Sequence, residues 1–174
     1  MSLESAAGAL FAALRDRGLT LAGAESCTGG LASAAITAMP GASGVFLGSV
    51  VAYSNRAKER LLSVPEGVIS RHGAVSGQCA LAMAEGAATA FAADCSFAVT
   101  GIAGPGGALP GKPVGTVWIA CRTPGESRTE RLSLQGDRDS VRLQAAERAL
   151  AALASLAGAR ISLDNPQDEG VSSK

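Results

Sequence analysis

The sequence predicts an α/β fold, a three-layer α/β/α sandwich around a mixed, mostly parallel five-stranded sheet. Three observations carry this reading. Short apolar, β-branched runs alternate with segments whose apolar residues recur every three or four positions. Glycine and proline punctuate the borders between them. The fourth and fifth extended runs follow one another with no helical segment between, which makes them a hairpin and the sheet mixed.

The first element is an amphipathic helix over 2–17, with Leu3, Ala6, Leu10 and Ala13 on one stripe and Gly18 as its stop. The run "LTLAG" (19–23) reads as a buried strand. The heptapeptide Ala24–Gly30, "AESCTGG", turns it into a second helix ending near Ala38, before Pro40 and Gly41. "GVFLGSVVAYS" (44–54) is the second strand, and a short helix over Asn55 to Leu62 follows, capped by Ser54 or Asn55. A loop carrying His72 leads to Ser76, the cap of a long helix with Cys79, Met83, Ala87 and Ala90 on its stripe. "CSFAVTG" (95–101) is the third strand, and "IAGPGGALPGKPVG" a glycine- and proline-rich loop. "TVWIAC" (116–121) and "SRTERLSLQ" (127–135) are the fourth and fifth strands, the last near a sheet edge. The final helix, about 137–157, presents Leu143, Ala146, Leu150, Leu153 and Ala157 to the core. From Gly158 the periodicity is lost, so 1–157 reads as one domain and 158–174 as a flexible tail.

Composition narrows the partners. Fifteen basic residues balance fifteen acidic ones without a cationic run, and aromatics are 3% of the chain, which disfavours nucleic acid. No apolar stretch reaches the roughly 20 residues of a membrane span, and the N-terminus lacks the pattern of a signal peptide. The four cysteines are widely spaced and His72 is the lone histidine, so no metal site is expected. Reduced thiols fit a cytoplasmic protein; Cys79, Cys95 and Cys121 read as core filler.

A phosphate-site pattern and a dehydrogenase pattern both fail. Gly106 to Lys112 approaches a P-loop, but Pro113 stands where a Ser or Thr is needed and a strand follows instead of a helix. Tyr53 and Lys58 are five apart across a strand end, whereas a short-chain dehydrogenase needs them four apart on one helix.

The chemistry gathers at the carboxyl ends of the first three strands, where open α/β sheets hold ligands. A serine hydroxyl needs a base, and Lys58, on a short helix after an apolar strand, can serve if burial lowers its pKa. The amides of Cys27, Thr28, Gly29 and Gly30 could receive an oxyanion. Ser26 attacking a carbonyl, with Lys58 as base and Tyr53 relaying or orienting the proton, is one coherent arrangement. Ser26, Thr28 and the glycines as helix caps, Asn55 as a cap, Tyr53 as a strand-end residue and Lys58 as a solvated charge form the structural alternative. Cys27, a thiol at a helix start, rivals Ser26 as nucleophile, and residue patterns alone leave the two open.

The segments "AESCTGGLAS", "GSVVAYSNRAKERLLSV", "HGAVSGQCALAMAEGA", "AVTGIAGPGG", "KPVGTVWIA" and "GDRDSVRLQAAERAL" resemble, in order over about 5–157, the C-terminal domain of the CinA (competence/damage-inducible) family. Stand-alone members of that family act as nicotinamide-nucleotide amidases, and the chain resembles that single-domain form. The resemblance implies hydrolysis of nicotinamide mononucleotide to nicotinic acid mononucleotide and ammonia, as part of pyridine nucleotide recycling. It places the catalytic serine on Ser26, the tyrosine on Tyr53 and the lysine on Lys58, with backbone donors at 27–30. It implies nucleotide contacts from Asn55, Thr100, Gly101, Ala103 and Gly104, and from Arg142 to the phosphate. It implies neither metal nor organic cofactor, and a homo-oligomer. Ala108 and Leu109 depart from the more polar residues common in relatives, at the rim of the expected pocket. Two other readings are a non-catalytic nucleotide-sensing or partner-binding module, which would bind without releasing ammonia, and an amidase for another pyridine carboxamide.

Overall fold

A computed structural model describes residues 1–158. The expected flexible tail, apart from Gly158, lies outside the described residues. The elements run α1 (Leu3–Arg15), β1 (Leu21–Glu25), α2 (Leu31–Thr37), a 3-10 turn (Ala42–Gly44), β2 (Phe46–Val51), α3 (Asn55–Leu62), α4 (Glu66–His72), α5 (Gly77–Phe91), β3 (Cys95–Gly101), β4 (Thr116–Thr123), β5 (Glu126–Ser133) and α6 (Arg138–Leu156). The five strands lie in the order β2-β1-β3-β4-β5. β1 pairs parallel with both β2 and β3, while β3–β4 and β4–β5 are antiparallel. Four strands therefore share one direction and β4 opposes them. This is the mixed, mostly parallel sheet expected.

Alternation along the strands builds two cores. Leu21, Cys95, Phe97, Val99, Val117, Ile119 and Cys121 face α1, α2 and α6. The opposite face offers Ala22, Ala24, Ala98 and Ala120 to α5, with α3 and α4 packed outside it. Alanines on both surfaces bring α5 close to the sheet. The same closeness recurs between α5 and the end of α3: a Cβ on Gly86 would lie 1.9 Å from the Leu62 carbonyl oxygen. Gly86→Ala should gain about 1 kcal/mol as a better helix former. The backbone clash outweighs this, since overpacking costs roughly 1–3 kcal/mol. A urea melt should show a net loss of stability; an unchanged or raised midpoint would contradict this packing.

Four details differ from the sequence reading, and a fifth decides between two caps it offered. β1 begins two residues later than "LTLAG" and carries Glu25 as its last residue. His72 ends a helix, α4, and does not sit in a loop. Ala90 is exposed; the buried stripe of α5 is Cys79, Ala80, Met83, Ala84, Ala87 and Ala88, because α5 meets both the sheet and α3. Leu143 is 48% exposed, and Val141 and Ala145 hold the core positions beside Ala146, Leu150, Leu153 and Ala157. The mean periodicity of an alanine-rich helix does not fix which face turns inward. Finally, Ser54 alone caps α3, its hydroxyl accepting from the Ala57 amide at 3.1 Å.

Candidate active site

β1, β2 and β3 end at one side of the sheet, and β1 lies between the other two. The chain crosses back over β1 between β2 and β3, so a crevice opens where the connections diverge. A cleft of about 260 Å³ occupies it, lined by Ser26 and Cys27 after β1, by Tyr53, Asn55 and Lys58 after β2, by Thr100 and Gly101 at the end of β3, and by Ile102, Ala103 and Gly104 after it. The α4–α5 connection adds Ala74 and Val75, the glycine-rich loop adds Gly106 and Gly107, and α6 adds Arg138.

At its floor lies a serine–lysine pair. Ser26 Oγ and Lys58 Nζ are 2.9 Å apart. Lys58 is 1% exposed, and Ser26 is 7% exposed with an edge on the cleft. The amine also donates to the carbonyl oxygens of Ala52 (2.8 Å) and Tyr53 (3.4 Å). No carboxylate pairs with it among the described residues. Loss of hydration disfavours the ammonium form, so burial pushes the Lys58 pKa below its ordinary value, against smaller upward pulls from the Cys79 and Cys27 thiols. As a free base the amine has two N–H groups for the two carbonyls, and its lone pair can accept the serine O–H.

Cys27 does not fit a nucleophile. Burial outweighs its position in the turn and pushes the thiol up to about 11, which leaves almost no thiolate near neutrality. The lowered value expected from a helix start is therefore corrected. α2 begins only at Leu31, so Cys27 sits in a turn ahead of the helix and inside the core.

Nor do Ser26 and Thr28 cap. Glu25, 0% exposed, does that work: its carboxylate accepts from the amides of Gly30 (2.9 Å), Ala32 (3.3 Å) and Ser33 (2.9 Å), and from the Ser33 hydroxyl. Gly29 N–H donates to the Ser26 carbonyl at 3.2 Å. The expected amide donors Gly29 and Gly30 are thus already committed. The amides of Cys27 and Thr28 have no acceptor among the described residues; Cys27 lines the cleft, so its N–H stays available for an oxyanion, whereas Thr28 is fully buried and does not line it.

Tyr53 and Arg142 also sit differently from expectation. The tyrosine is 63% exposed, its hydroxyl hydrogen-bonded to Arg138 Nη2 at 3.0 Å, and it meets Lys58 through its carbonyl alone. It stands at the mouth of the cleft, with no hydrogen bond from its hydroxyl to Ser26 or Lys58. Arg142 does not line the cleft; Nε donates to the Cys27 carbonyl at 3.2 Å and Nη2 to that of Thr28 at 3.1 Å. The cation at the cleft is Arg138, one helical turn earlier, with Nη1 donating to the Gly104 carbonyl at 2.6 Å.

Asn55, Thr100, Gly101, Ala103 and Gly104 all reach the cleft. Thr100 Oγ1 donates to the Ala74 carbonyl at 2.8 Å, which leaves its lone pairs free to accept. Lys112 anchors the glycine-rich loop by donating to the carbonyls of Val75 (2.7 Å) and His72 (3.0 Å). The lysine that imitates a P-loop is a structural tie. Glu25 and Arg138 are the residues that sequence reasoning missed. The signals were a carboxylate ending an apolar strand and an arginine directly after the α6 cap Asp137. Among the described residues no group of three or more His, Cys, Asp or Glu could hold a metal, and no helix is long and apolar enough to cross a membrane.

Residues 3–157 match the family model of the CinA C-terminal domain. A CinA-like protein of Citrifermentans bemidjiense is 57% identical over 129 residues, which cover 74% of this chain and 31% of that protein. Another, from Myxococcus xanthus, is 50% identical over 148 residues, covering 84% and 35%. The chain thus spans about a third of the length of the curated relatives it matches. The crystal structure of a CinA superfamily protein from Klebsiella pneumoniae superposes with a TM-score of 0.86 at 36% identity, covering 90% of this chain and 98% of that one. That of the competence/damage-inducible protein CihA from Agrobacterium tumefaciens gives 0.85 at 39%, covering 88% and 94%.

Proposed function

The chain belongs to the CinA C-terminal domain family, and from that premise and the cleft we propose that it is an amidohydrolase releasing ammonia from nicotinamide mononucleotide. The observation that carries the reading is the 2.9 Å contact between Ser26 Oγ and the buried, cation-disfavouring Lys58 amine. A purely binding pocket gains nothing from a buried lysine without a carboxylate partner, because desolvation costs more than the contacts return.

In this reading Ser26 Oγ attacks the carboxamide carbon while its proton passes to Lys58 Nζ. The Cys27 amide, at the cleft, takes the negative oxygen of the tetrahedral intermediate. Thr100 Oγ1, its own proton committed to Ala74, accepts from the carboxamide NH2 and turns the nitrogen toward Lys58. The C–N bond breaks as Lys58 returns the proton to that nitrogen, and ammonia leaves. Water then attacks the acyl-serine with Lys58 again taking the proton, and collapse restores the Ser26 hydroxyl. Val75 and Ile102 offer apolar flanks for the pyridine ring, and Asn55 and the Gly101–Gly107 backbone offer polar contacts.

Arg138 is the proposed phosphate ligand in place of Arg142, since its guanidinium lies at the cleft and is held there by Gly104 and Tyr53. A hydrogen bond to a charged group is worth about 1.5–3 kcal/mol, which is roughly 10- to 100-fold in affinity. Arg138→Ala should therefore raise KM for the mononucleotide by that factor and leave the riboside unaffected. A coupled ammonia assay across nicotinamide, its riboside, its mononucleotide and the dinucleotide tests the reading. Saturable binding of all four with no ammonia released would overturn it.

A further inference from the structure

We infer that Thr100 is a specificity-determining residue, an acceptor-only hydroxyl through which the cleft takes a primary carboxamide and turns away the acid and the ester of the same compound. This deepens the amidase reading above and rests on it. The sheet register places Thr100 beside the nucleophile. Ala24 pairs with Ala98 and Glu25 with Val99 in parallel, and the Ser26 amide continues the ladder by donating to the Val99 carbonyl at 2.9 Å. Ser26 and Thr100 are therefore the next neighbours, on backbones about 4.8 Å apart with their side chains on one face. Their partners agree. Ser26 meets Lys58 of α3 and Thr100 meets Ala74 ahead of α5, both on the α5 side of the sheet. Ser26, Thr100 and Ala74 all line the cleft.

The segment that Thr100 binds fixes the direction of its hydroxyl. Its proton goes to the Ala74 carbonyl at 2.8 Å. The flanking carbonyls are tied as well: Lys112 Nζ donates to those of His72 (3.0 Å) and Val75 (2.7 Å), and Ser76 Oγ to that of Gly73 (2.8 Å). Four successive carbonyls are thus held, and turning the Thr100 hydroxyl round would leave that of Ala74 unpaired. What Thr100 has left for a ligand is lone pairs. A carboxamide nitrogen brings two N–H donors to them, whereas a carboxylate or alkoxy oxygen brings none. A mismatch of this kind is rejected strongly, because buried polar groups are left without partners. Lys58 would draw a carboxylate only as an ammonium, the form that its burial disfavours. The acid formed by the reaction is therefore poorly held by the site that made it.

The test uses Thr100→Val, which keeps the shape and removes the hydroxyl, with Thr100→Ser as the conservative control. The first readout compares kcat/KM for nicotinamide mononucleotide and for the methyl ester of nicotinic acid mononucleotide. In the ester, water adds to the acyl group, the acyl–oxygen bond breaks and methanol leaves. Thr100→Val is expected to lower the amide value roughly 10- to 100-fold, for the loss of one buried hydrogen bond. The ester value should change less than about threefold, and Thr100→Ser should keep the wild-type amide-to-ester ratio within about threefold. The second readout needs no turnover. In Ser26→Ala, calorimetry should show the amide mononucleotide binding at least about 10-fold tighter than the acid, and adding Thr100→Val should erase that gap. A merely structural role would lower amide and ester turnover together and leave the gap intact. That result would overturn the inference, as would an amide value unchanged in Thr100→Val. If Thr100→Val does not fold, Thr100→Ala decides by the same criteria. A wild type that releases no ammonia sinks the amidase reading and this inference with it. Ammonia release with no gap in binding sinks this inference alone.

Discussion

Replacing Ser26 by alanine is expected to abolish ammonia release, with a fall in kcat on the order of 10³- to 10⁶-fold. The hydroxyl lies 2.9 Å from the amine that would take its proton. Cys27 is adjacent, yet its thiol is held protonated by burial. Cys27→Ala should therefore keep activity within a few fold. Folding should survive Ser26→Ala, because Glu25 and not Ser26 caps α2. Near-normal turnover in Ser26→Ala, coupled with loss in Cys27→Ala, would reverse the assignment of the nucleophile.

Removing the base should be as damaging. Lys58→Met keeps most of the side-chain volume and is expected to lose activity by a comparable factor. Because members of a catalytic unit act together, the double variant with Ser26→Ala should be little worse than either alone. The wild-type pH profile gives an independent measure. The reaction needs the free base, so kcat/KM should rise tenfold per pH unit and level off at a pH below the ordinary lysine value of 10.5, to the extent that burial lowers the pKa. The sign for stability follows from the same shift. Between the folded pKa and the unfolded one the denatured chain binds more protons, so raising the pH through that window stabilises the fold. Lys58→Met should lose this component of the slope. A profile flat down to acidic pH would show that no buried amine controls the rate.

Much of this protein was legible in its residues. Apart from α4, which the residues read as a loop, the order of elements, the helix boundaries at Asn55–Leu62 and the strand Cys95–Gly101 agree with the structure because local periodicity and caps decide them. The residues Ser26, Asn55, Lys58, Thr100 and Gly104 were legible as a group because the ends of adjacent parallel strands must converge. Leu143 and Ala90 were misread since a helix rich in alanine has no sharp apolar face, and packing partners choose one.

What the sequence by itself determined, then, is the order and kind of every element but α4, the loops that gather at one sheet end, and the reactive groups those loops carry. Only the tertiary structure decided which groups are dry, which amides are spent and which arginine faces the cleft. Burial lowers the lysine pKa and raises that of the thiol. Arg138 and Arg142 lie one turn apart on the same helix, and a difference of about 6 Å along its axis sends one guanidinium to the cleft and the other to the back of the turn. Desolvation and hydrogen-bond direction depend on three-dimensional surroundings, and no local pattern encodes them.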